Sequence, residues 1–215
     1  MKDAPLLLLV PTALELERLR DQGGYDPARA RVEVCGFGPV AAAARTATLL
    51  ERYKPQRALL VGIAGTFDEE SFPVGTATTF GEVALEGVGV GEGSRFVAPP
   101  ALGFPQWPGS TDTTPHPIAD RMRLEASGPL LLSTCAASDS PAHAAERKER
   151  FPAALAEDME GFAVALACAL ARVPLSIVRG ASNVVGDRQA SAWRIPSALA
   201  AAHELSLEWL AKEPA

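Results

Sequence analysis

Short apolar runs bounded by Gly or Pro alternate along this chain with longer alanine-rich segments, and this alternation constrains the fold most. The run Leu59-Leu60-Val61 has the pattern of a fully buried strand, which suits a central strand covered on both faces. The sequence therefore predicts an α/β fold. We predict strands at 5–10, 31–35, 57–63, 74–80, 82–86, 130–134 and 174–180. We predict helices at 12–21, 38–52, 143–150, 159–172 and 191–212.

The length and charge narrow the choice of architecture and partner. With 215 residues, the chain fits one domain over 1–215, with segment 87–128 as an irregular Gly- and Pro-rich excursion within it. A net charge of -6 argues against a protein that neutralises nucleic-acid phosphates. We expect a small-molecule ligand and no nucleic acid.

Neither cysteines nor histidines are spaced for a metal or a disulfide framework. Cys35, Cys135 and Cys168 lie far apart and form no C-x-x-C pair, so we expect three buried or half-buried thiols in a reducing compartment. The three histidines share no ligand-like spacing, and we expect no metal and no cofactor. No apolar run suits a secretory leader or a membrane span, which favours a cytoplasmic protein.

The sequence from Gly36 to Ala41, GFGPVA, matches the dinucleotide-binding pattern G-x-G-x-x-A. It follows the second predicted strand, however, and the next strand ends in GIAG without an acid for a ribose hydroxyl. A nicotinamide-cofactor oxidoreductase is therefore one alternative. The other is a tight strand-to-helix turn in which glycine permits close packing.

Three further strand ends carry candidate site residues. Gly62, Ala64 and Gly65 close the most apolar strand, where small residues let a ligand approach the backbone. Glu15 follows the first strand, where it serves either as a helix-start partner of Thr12 or as a general base for water. The polar loop after strand 174–180, Arg179–Arg188, indicates a functional role.

Together, the first strand with Glu15, the GFGPVA turn with GIAG, and DMEG followed by RGASN resemble the nucleoside phosphorylase/nucleosidase superfamily. Within it, the pattern is most similar to the futalosine hydrolases. The resemblance implies a single-domain three-layer α/β/α fold with a mixed central sheet flanked by helices. It also implies hydrolysis of futalosine to hypoxanthine and dehypoxanthinyl futalosine, in menaquinone biosynthesis, by a homo-oligomer that is a dimer or a tetramer.

The resemblance also assigns roles to individual residues. Glu15 would activate the attacking water, Glu160 would accept hydrogen bonds from the ribose hydroxyls, and Met159 would pack under the sugar. We read Glu157 and Asp158, beside them, as capping or solvated acids. The predicted catalytic residues are Glu15, Asn183 and Asp187. The predicted substrate-binding residues are Glu160, Met159, Gly62, Ala64, Gly65, Phe162 and Arg188.

Asn183 stands where the resemblance places an aspartate in adenine-specific relatives. An amide NH2 offers two donors to the O6 and N7 acceptors of a 6-oxopurine, which favours hypoxanthine over adenine. Asn183 does not deliver a full proton, so Asp187 is a candidate acid. Arg188 and Arg45 are both candidate partners for the 5′ substituent, and the sequence does not select between them.

Three alternatives stay open besides the oxidoreductase. A purine nucleoside phosphorylase would need cations for phosphate, which the GFGPV and GIAGT turns lack. A methylthioadenosine/adenosylhomocysteine nucleosidase is disfavoured by Asn183. A catalytically silent nucleoside-binding module remains the non-enzymatic alternative.

Overall fold

A computed structural model describes residues 6–212, so residue 5 of the first predicted strand lies outside the described part. The strands are β1 (Leu6–Val10), β2 (Ala30–Val34), β3 (Ala58–Thr66), β4 (Ala77–Phe80), β5 (Glu82–Leu85), β6 (Arg121–Arg123), β7 (Leu130–Ser133), β8 (Ala154–Asp158) and β9 (Leu175–Val184). The α-helices are α1 (Ala13–Asp21), α2 (Pro39–Tyr53), α3 (Pro99–Leu102), α4 (Pro141–Arg150), α5 (Gly161–Leu170) and α6 (Ile195–Lys212).

All nine strands form one mixed sheet. Its order is β2-β1-β3-β8-β7-β5-β6, and β9 pairs with both β3 and β4. The pairs β1–β2, β1–β3 and β3–β9 are parallel, whereas β3–β8 and β4–β9 are antiparallel. The predicted mixed central sheet is therefore confirmed.

Helices cover both faces of this sheet because side chains of the central strands alternate between two apolar cores. Leu7, Leu9 and Leu60 pack in the core that contains α2 and α5. Leu8 and Leu59 point the opposite way, into the core beneath α1 and α6. This alternation is the period-two pattern of a strand buried on both faces, and it confirms the predicted α/β/α layering.

The largest differences from the predicted elements lie next to the candidate site. Strand β8 was not predicted, because its sequence ALAED is rich in residues that favour helices over strands. Burial between β3 and β7 overrides that preference. Strand β3 extends three residues beyond the predicted end, and β9 continues through Val184, so the presumed loop at Arg179–Asn183 is strand. Strand β6 was also missed.

Segment 87–128 contains little regular structure. It includes α3, β6 and two isolated bridges, Val90 with Val97 and Trp107 with Ile118.

None of the helices in the described range is long and apolar enough to cross a membrane.

Candidate active site

A cavity of about 260 Å³ opens where the ends of β1, β3, β8 and β9 meet. Its inner part is lined by Glu15, Asp158 and Glu160. Arg179 does not line the cavity but contacts Asp158 and Glu160, and we call these four residues the acidic floor. Its outer part, which we call the cavity mouth, is lined by Leu14, Phe37, Arg188, Trp193 and Ile195.

Glu15 lies at the start of α1 and is fixed by two hydrogen bonds. Its Oε2 accepts from the Thr12 hydroxyl at 2.6 Å, and its Oε1 accepts from the Ile63 N–H at 3.1 Å. Thr12 also caps α1, because its hydroxyl oxygen accepts from the Glu15 N–H. Glu15 is therefore both a helix-start residue and a buried carboxylate with free lone pairs, only 6% exposed.

Gly62 provides space for the acidic floor instead of lining the cavity. A Cβ at this position would lie 2.3 Å from Arg179 Nη1 and 2.7 Å from Glu15 Oε1. Both groups thus approach the same stretch of β3 backbone. Arg179 Nη1 is buried and has no hydrogen-bond partner among the described residues, which leaves a donor available beside Glu15.

Asp158 orients Arg179 and also starts α5. Its Oδ2 accepts from Arg179 Nη2 at 2.6 Å and from the Gly161 N–H at 2.8 Å, and its Oδ1 accepts from the Ser133 hydroxyl. Burial lowers the pKa of the Arg179 guanidinium, but Asp158, Glu160 and Glu15 together raise it above its ordinary value. The buried cation is therefore held in the charged form by the acids around it.

Glu160 points into the cavity from the residue before α5. Its Oε1 accepts from the Gly38 N–H at 2.9 Å, and its Oε2 lies 3.5 Å from Arg179 Nη2. Burial, followed by repulsion from Asp158, raises the pKa of the Glu160 carboxyl to about 7. The bond from Gly38 also explains the GFGPVA pattern: it forms the turn that begins α2, and its backbone binds Glu160.

Glu157 and Asp158 are not solvated, which corrects the sequence interpretation. Both are buried because β8 carries them into the sheet. Glu157 accepts from the Ser138 N–H and hydroxyl, each at 2.7 Å, and from Arg147 Nη1 at 2.8 Å. The capping role of Asp158 is confirmed by its bond to the Gly161 N–H.

Asn183 reaches the cavity through an irregularity in β9. Gly65 pairs with Asn183 on one side and Glu157 on the other, and the β3–β9 register shifts between Ala64 and Gly65. Such a shift re-aims the side chains that follow it. The Asn183 amide is then fixed: Oδ1 accepts from the Ser182 hydroxyl at 2.8 Å, and Nδ2 donates to the Val184 carbonyl at 2.8 Å. One N–H, rather than two, remains for a ligand.

The remaining predicted site residues divide into two groups. Met159, Ala64, Gly65 and Arg188 line the cavity. Three others lie outside the cavity lining, namely Gly62, Phe162 and Asp187.

Phe162 and Asp187 lie outside the cavity lining because each makes contacts elsewhere in the fold. Phe162 is 1% exposed and packs in the core with α2 and α5, because it faces the sheet from the first turn of α5. The Asp187 carboxylate accepts from the Gln189 N–H at 2.8 Å and so braces the turn after β9. Asp187 therefore does not line this cavity, and its role as an acid stays a prediction.

Sequence reasoning missed Arg179 and Trp193 as individual site residues. Arg179 is fully buried in β9, and an arginine inside an apolar strand signals a buried ionic partner. Trp193 carried no local motif. Its indole N–H donates to the Asp187 carbonyl at 3.1 Å, which places the ring at the cavity mouth.

The described residues contain no group of three or more His, Cys, Asp or Glu side chains arranged to hold a metal ion.

Cys35 and Cys168 are buried and Cys135 is exposed, so the expectation that all three would be at least half buried is wrong for Cys135. It lies two residues after the end of β7, between buried Thr134 and exposed Ala136.

The chain is similar to known proteins both in sequence and in fold. The model of the phosphorylase superfamily matches residues 22–211. Futalosine hydrolase of Streptomyces coelicolor is 36% identical over 196 residues, which cover 87% of this chain and 78% of that protein.

Two solved structures share the fold. A methylthioadenosine/adenosylhomocysteine nucleosidase from Colwellia psychrerythraea, in complex with adenine, has a TM-score of 0.76 at 21% identity and covers 98% of this chain and 96% of its own. Futalosine hydrolase of Helicobacter pylori has a TM-score of 0.75 at 15% identity and covers 98% of both chains.

Proposed function

Because the chain belongs to the phosphorylase superfamily, we propose that it is a nucleosidase that hydrolyses the N-glycosidic bond of futalosine. The products are hypoxanthine and dehypoxanthinyl futalosine, and the reaction serves menaquinone biosynthesis. The likeness to the Streptomyces coelicolor futalosine hydrolase supports this substrate.

One observation carries the choice of water over phosphate as the attacking group: the one positive charge of the acidic floor is already balanced by acids. Arg179, the one cation there, lies between Asp158 and Glu160. The N–H of Gly38, at the start of α2, donates to Glu160 instead of being available to an anion. Phosphate beside Glu15 would meet a second negative charge, whereas a water molecule would find an acceptor.

The attacking water is held and deprotonated by Glu15. Its carboxylate is buried and oriented by Thr12 and Ile63, so it has little freedom to move away from the reacting centre. The unpaired Arg179 Nη1 approaches the same backbone and can donate to that water. Positioned general-base catalysis of this kind contributes about 10²–10⁴-fold to a rate.

The ribose is bound by Glu160, whose ionised carboxylate accepts hydrogen bonds from the 2′- and 3′-hydroxyls. Met159 lines the cavity beside it and provides an apolar surface for the sugar ring. As the sugar gains positive charge in the transition state, these bonds strengthen and lower the barrier.

The base lies against the end of β9, where the free N–H of Asn183 donates to the purine. This bond stabilises negative charge that moves into the leaving group. The N7 acceptor is common to both purines, but at position 6 this N–H meets an acceptor in a 6-oxopurine and an amino group in adenine. A purine with O6 is therefore preferred.

We also propose that the chain acts as a single domain in a homo-oligomer, a dimer or a tetramer, in the cytoplasm. The apolar side chains Leu14, Phe37 and Val40 are 56%, 65% and 83% exposed, and the first two line the cavity mouth. A second copy would cover this surface. Three free cysteines suit a reducing compartment.

The test measures which base the purified protein releases from futalosine, inosine and methylthioadenosine in phosphate-free buffer. We expect hypoxanthine to appear from futalosine with the highest kcat/KM, and adenine to appear far more slowly. Faster release of adenine would identify a methylthioadenosine nucleosidase instead. Binding of all three nucleosides without release of any base would identify a non-enzymatic binding protein.

A further inference from the structure

The cavity mouth differs in charge from the interior of the cavity. Arg188 is the only cationic side chain among the described residues that line the cavity, whereas Glu15, Glu157, Asp158 and Glu160 are all acids. The acids at 157 and 158 are paired with Arg147 and Arg179. None of the ion pairs among the described residues includes Arg188.

Arg188 is held in place by an aromatic ring instead of an acid. Its guanidinium carbon lies 4.9 Å from the centre of the Trp193 ring, which is a cation–π distance. That ring is fixed in turn by the bond from its indole N–H to the Asp187 carbonyl. Stacking leaves the edge of the guanidinium, with its N–H donors, available to a ligand.

The structure also separates Arg188 from the other arginine considered for this role. Arg45 lines a different surface groove, together with Glu33 and Cys35, and its Nη2 lies 3.5 Å from Glu33 Oε2. It is therefore neither in the cavity nor free of an acidic partner.

The position of Arg188 indicates which part of a nucleoside it would contact. With the base at Asn183 and the 2′- and 3′-hydroxyls at Glu160, the 5′ carbon is the remaining point of substitution on the ribose. The remaining part of the cavity is the mouth, where Leu14, Phe37 and Ile195 provide apolar contacts. A 5′ substituent that fits there has an apolar body and, where it meets Arg188, a negative charge.

We propose that Arg188, supported by Trp193, is the specificity-determining residue that binds an anionic group on the 5′ substituent of the nucleoside. This inference rests on the proposed nucleosidase function, since that function orients the substrate. A planar carboxylate suits the site best, because a guanidinium edge binds it through two parallel hydrogen bonds.

The test compares two synthetic hypoxanthine nucleosides that differ in one group. One bears a 4-carboxyphenylthio substituent on the 5′ carbon, and the other bears the corresponding carboxamide. In the unaltered protein, we expect kcat/KM to be about tenfold higher for the carboxylate, the size of a charge-assisted hydrogen bond at a partly exposed site. Arg188→Gln should bring the ratio close to one, and Arg188→Lys should give an intermediate ratio.

Arg52→Gln is the matched control. Arg52 is also an exposed arginine that stacks on an aromatic ring, 5.2 Å from the centre of Tyr53, and it lies outside the cavity lining. This variant should retain the tenfold ratio. Added salt should reduce the ratio in the unaltered protein and leave it near one in Arg188→Gln.

A ratio near one in the unaltered protein, or a full ratio in Arg188→Gln, would overturn the inference and leave the nucleosidase function standing. Equilibrium binding of both compounds is measured alongside turnover. If both bind and neither is hydrolysed, the proposed function fails, and the ratio of the two dissociation constants decides the role of Arg188.

Discussion

The acidic floor and the cavity mouth belong to the same cavity but are built in opposite ways. The four floor residues are at most 6% exposed, and each is tied by hydrogen bonds to a strand end or to a helix start. At the mouth, Arg188 is exposed and Phe37 is 65% exposed. Arg188 is held there by stacking on Trp193, whose indole N–H makes a hydrogen bond to the Asp187 carbonyl.

This difference suggests a division of labour. A buried set of charges that is held by hydrogen bonds keeps its geometry, as bond cleavage requires. A more exposed set is free to vary with the substituent that it binds. Proteins that share the fold and bind different purine nucleosides would then share the floor and differ at Asn183 and the mouth.

The largest effect is expected from Glu15→Gln, which tests whether the floor carries the chemistry. The amide keeps the shape of Glu15 and can still accept from the Ile63 N–H, but it does not take a proton from water. We expect kcat to fall about 10²–10⁴-fold while the dissociation constant of the bound nucleoside changes little. Glu17→Gln, on the exposed side of the same helix, should keep full turnover. A near-normal kcat in Glu15→Gln would remove Glu15 from this role.

The second-largest effect is expected from Asn183→Asp, which changes a cavity residue that belongs to neither the acidic floor nor the cavity mouth. A carboxylate at this position has no N–H to donate to O6 or to the Val184 carbonyl, but it can accept a bond from the amino group of adenine. The ratio of kcat/KM for inosine over adenosine should fall by about two orders of magnitude, as for other mismatched polar contacts. Asn183→Ala should lower both values without reversing the preference. An unchanged ratio in Asn183→Asp would show that base choice lies elsewhere.

The pH dependence of kcat/KM tests Glu160, and we expect a change of about tenfold. Its pKa in the free protein is raised to about 7, and the ionised form is the one that accepts ribose hydroxyls. Consequently, kcat/KM should rise as pH increases through about 7, and about a tenth of the maximum should remain one unit below the pKa. Glu160→Gln should lower kcat/KM and abolish this step. A step of the same size in the variant would assign it to another group.

The smallest effect is expected at the mouth, from Trp193→Leu. Loss of the stacked ring should reduce kcat/KM about three- to tenfold for nucleosides with a large 5′ substituent, and less for inosine. Steady-state kinetics with both substrates measures this difference. Equal losses for the two would show that Trp193 supports the turn after β9 rather than the substituent.

The sequence predicted the floor better than the mouth. Glu15 and Glu160 follow or precede recognisable elements, so their convergence at the sheet edge could be anticipated. Strand β8 could not be anticipated, because the sequence ALAED favours a helix and becomes a strand only through its burial in the sheet. Likewise, the loss of one Asn183 donor to the Val184 carbonyl and the stacking of Arg188 depend on tertiary contacts that no local pattern encodes.

The phosphate dependence of hypoxanthine release from futalosine tests the central claim most directly, because the acidic floor is the basis for choosing water as the attacking group. The rate is measured in phosphate-free buffer and after addition of phosphate, and the sugar product is identified by mass spectrometry. We predict equal rates and an unphosphorylated product in both. Release that requires phosphate and yields a sugar 1-phosphate would contradict the account.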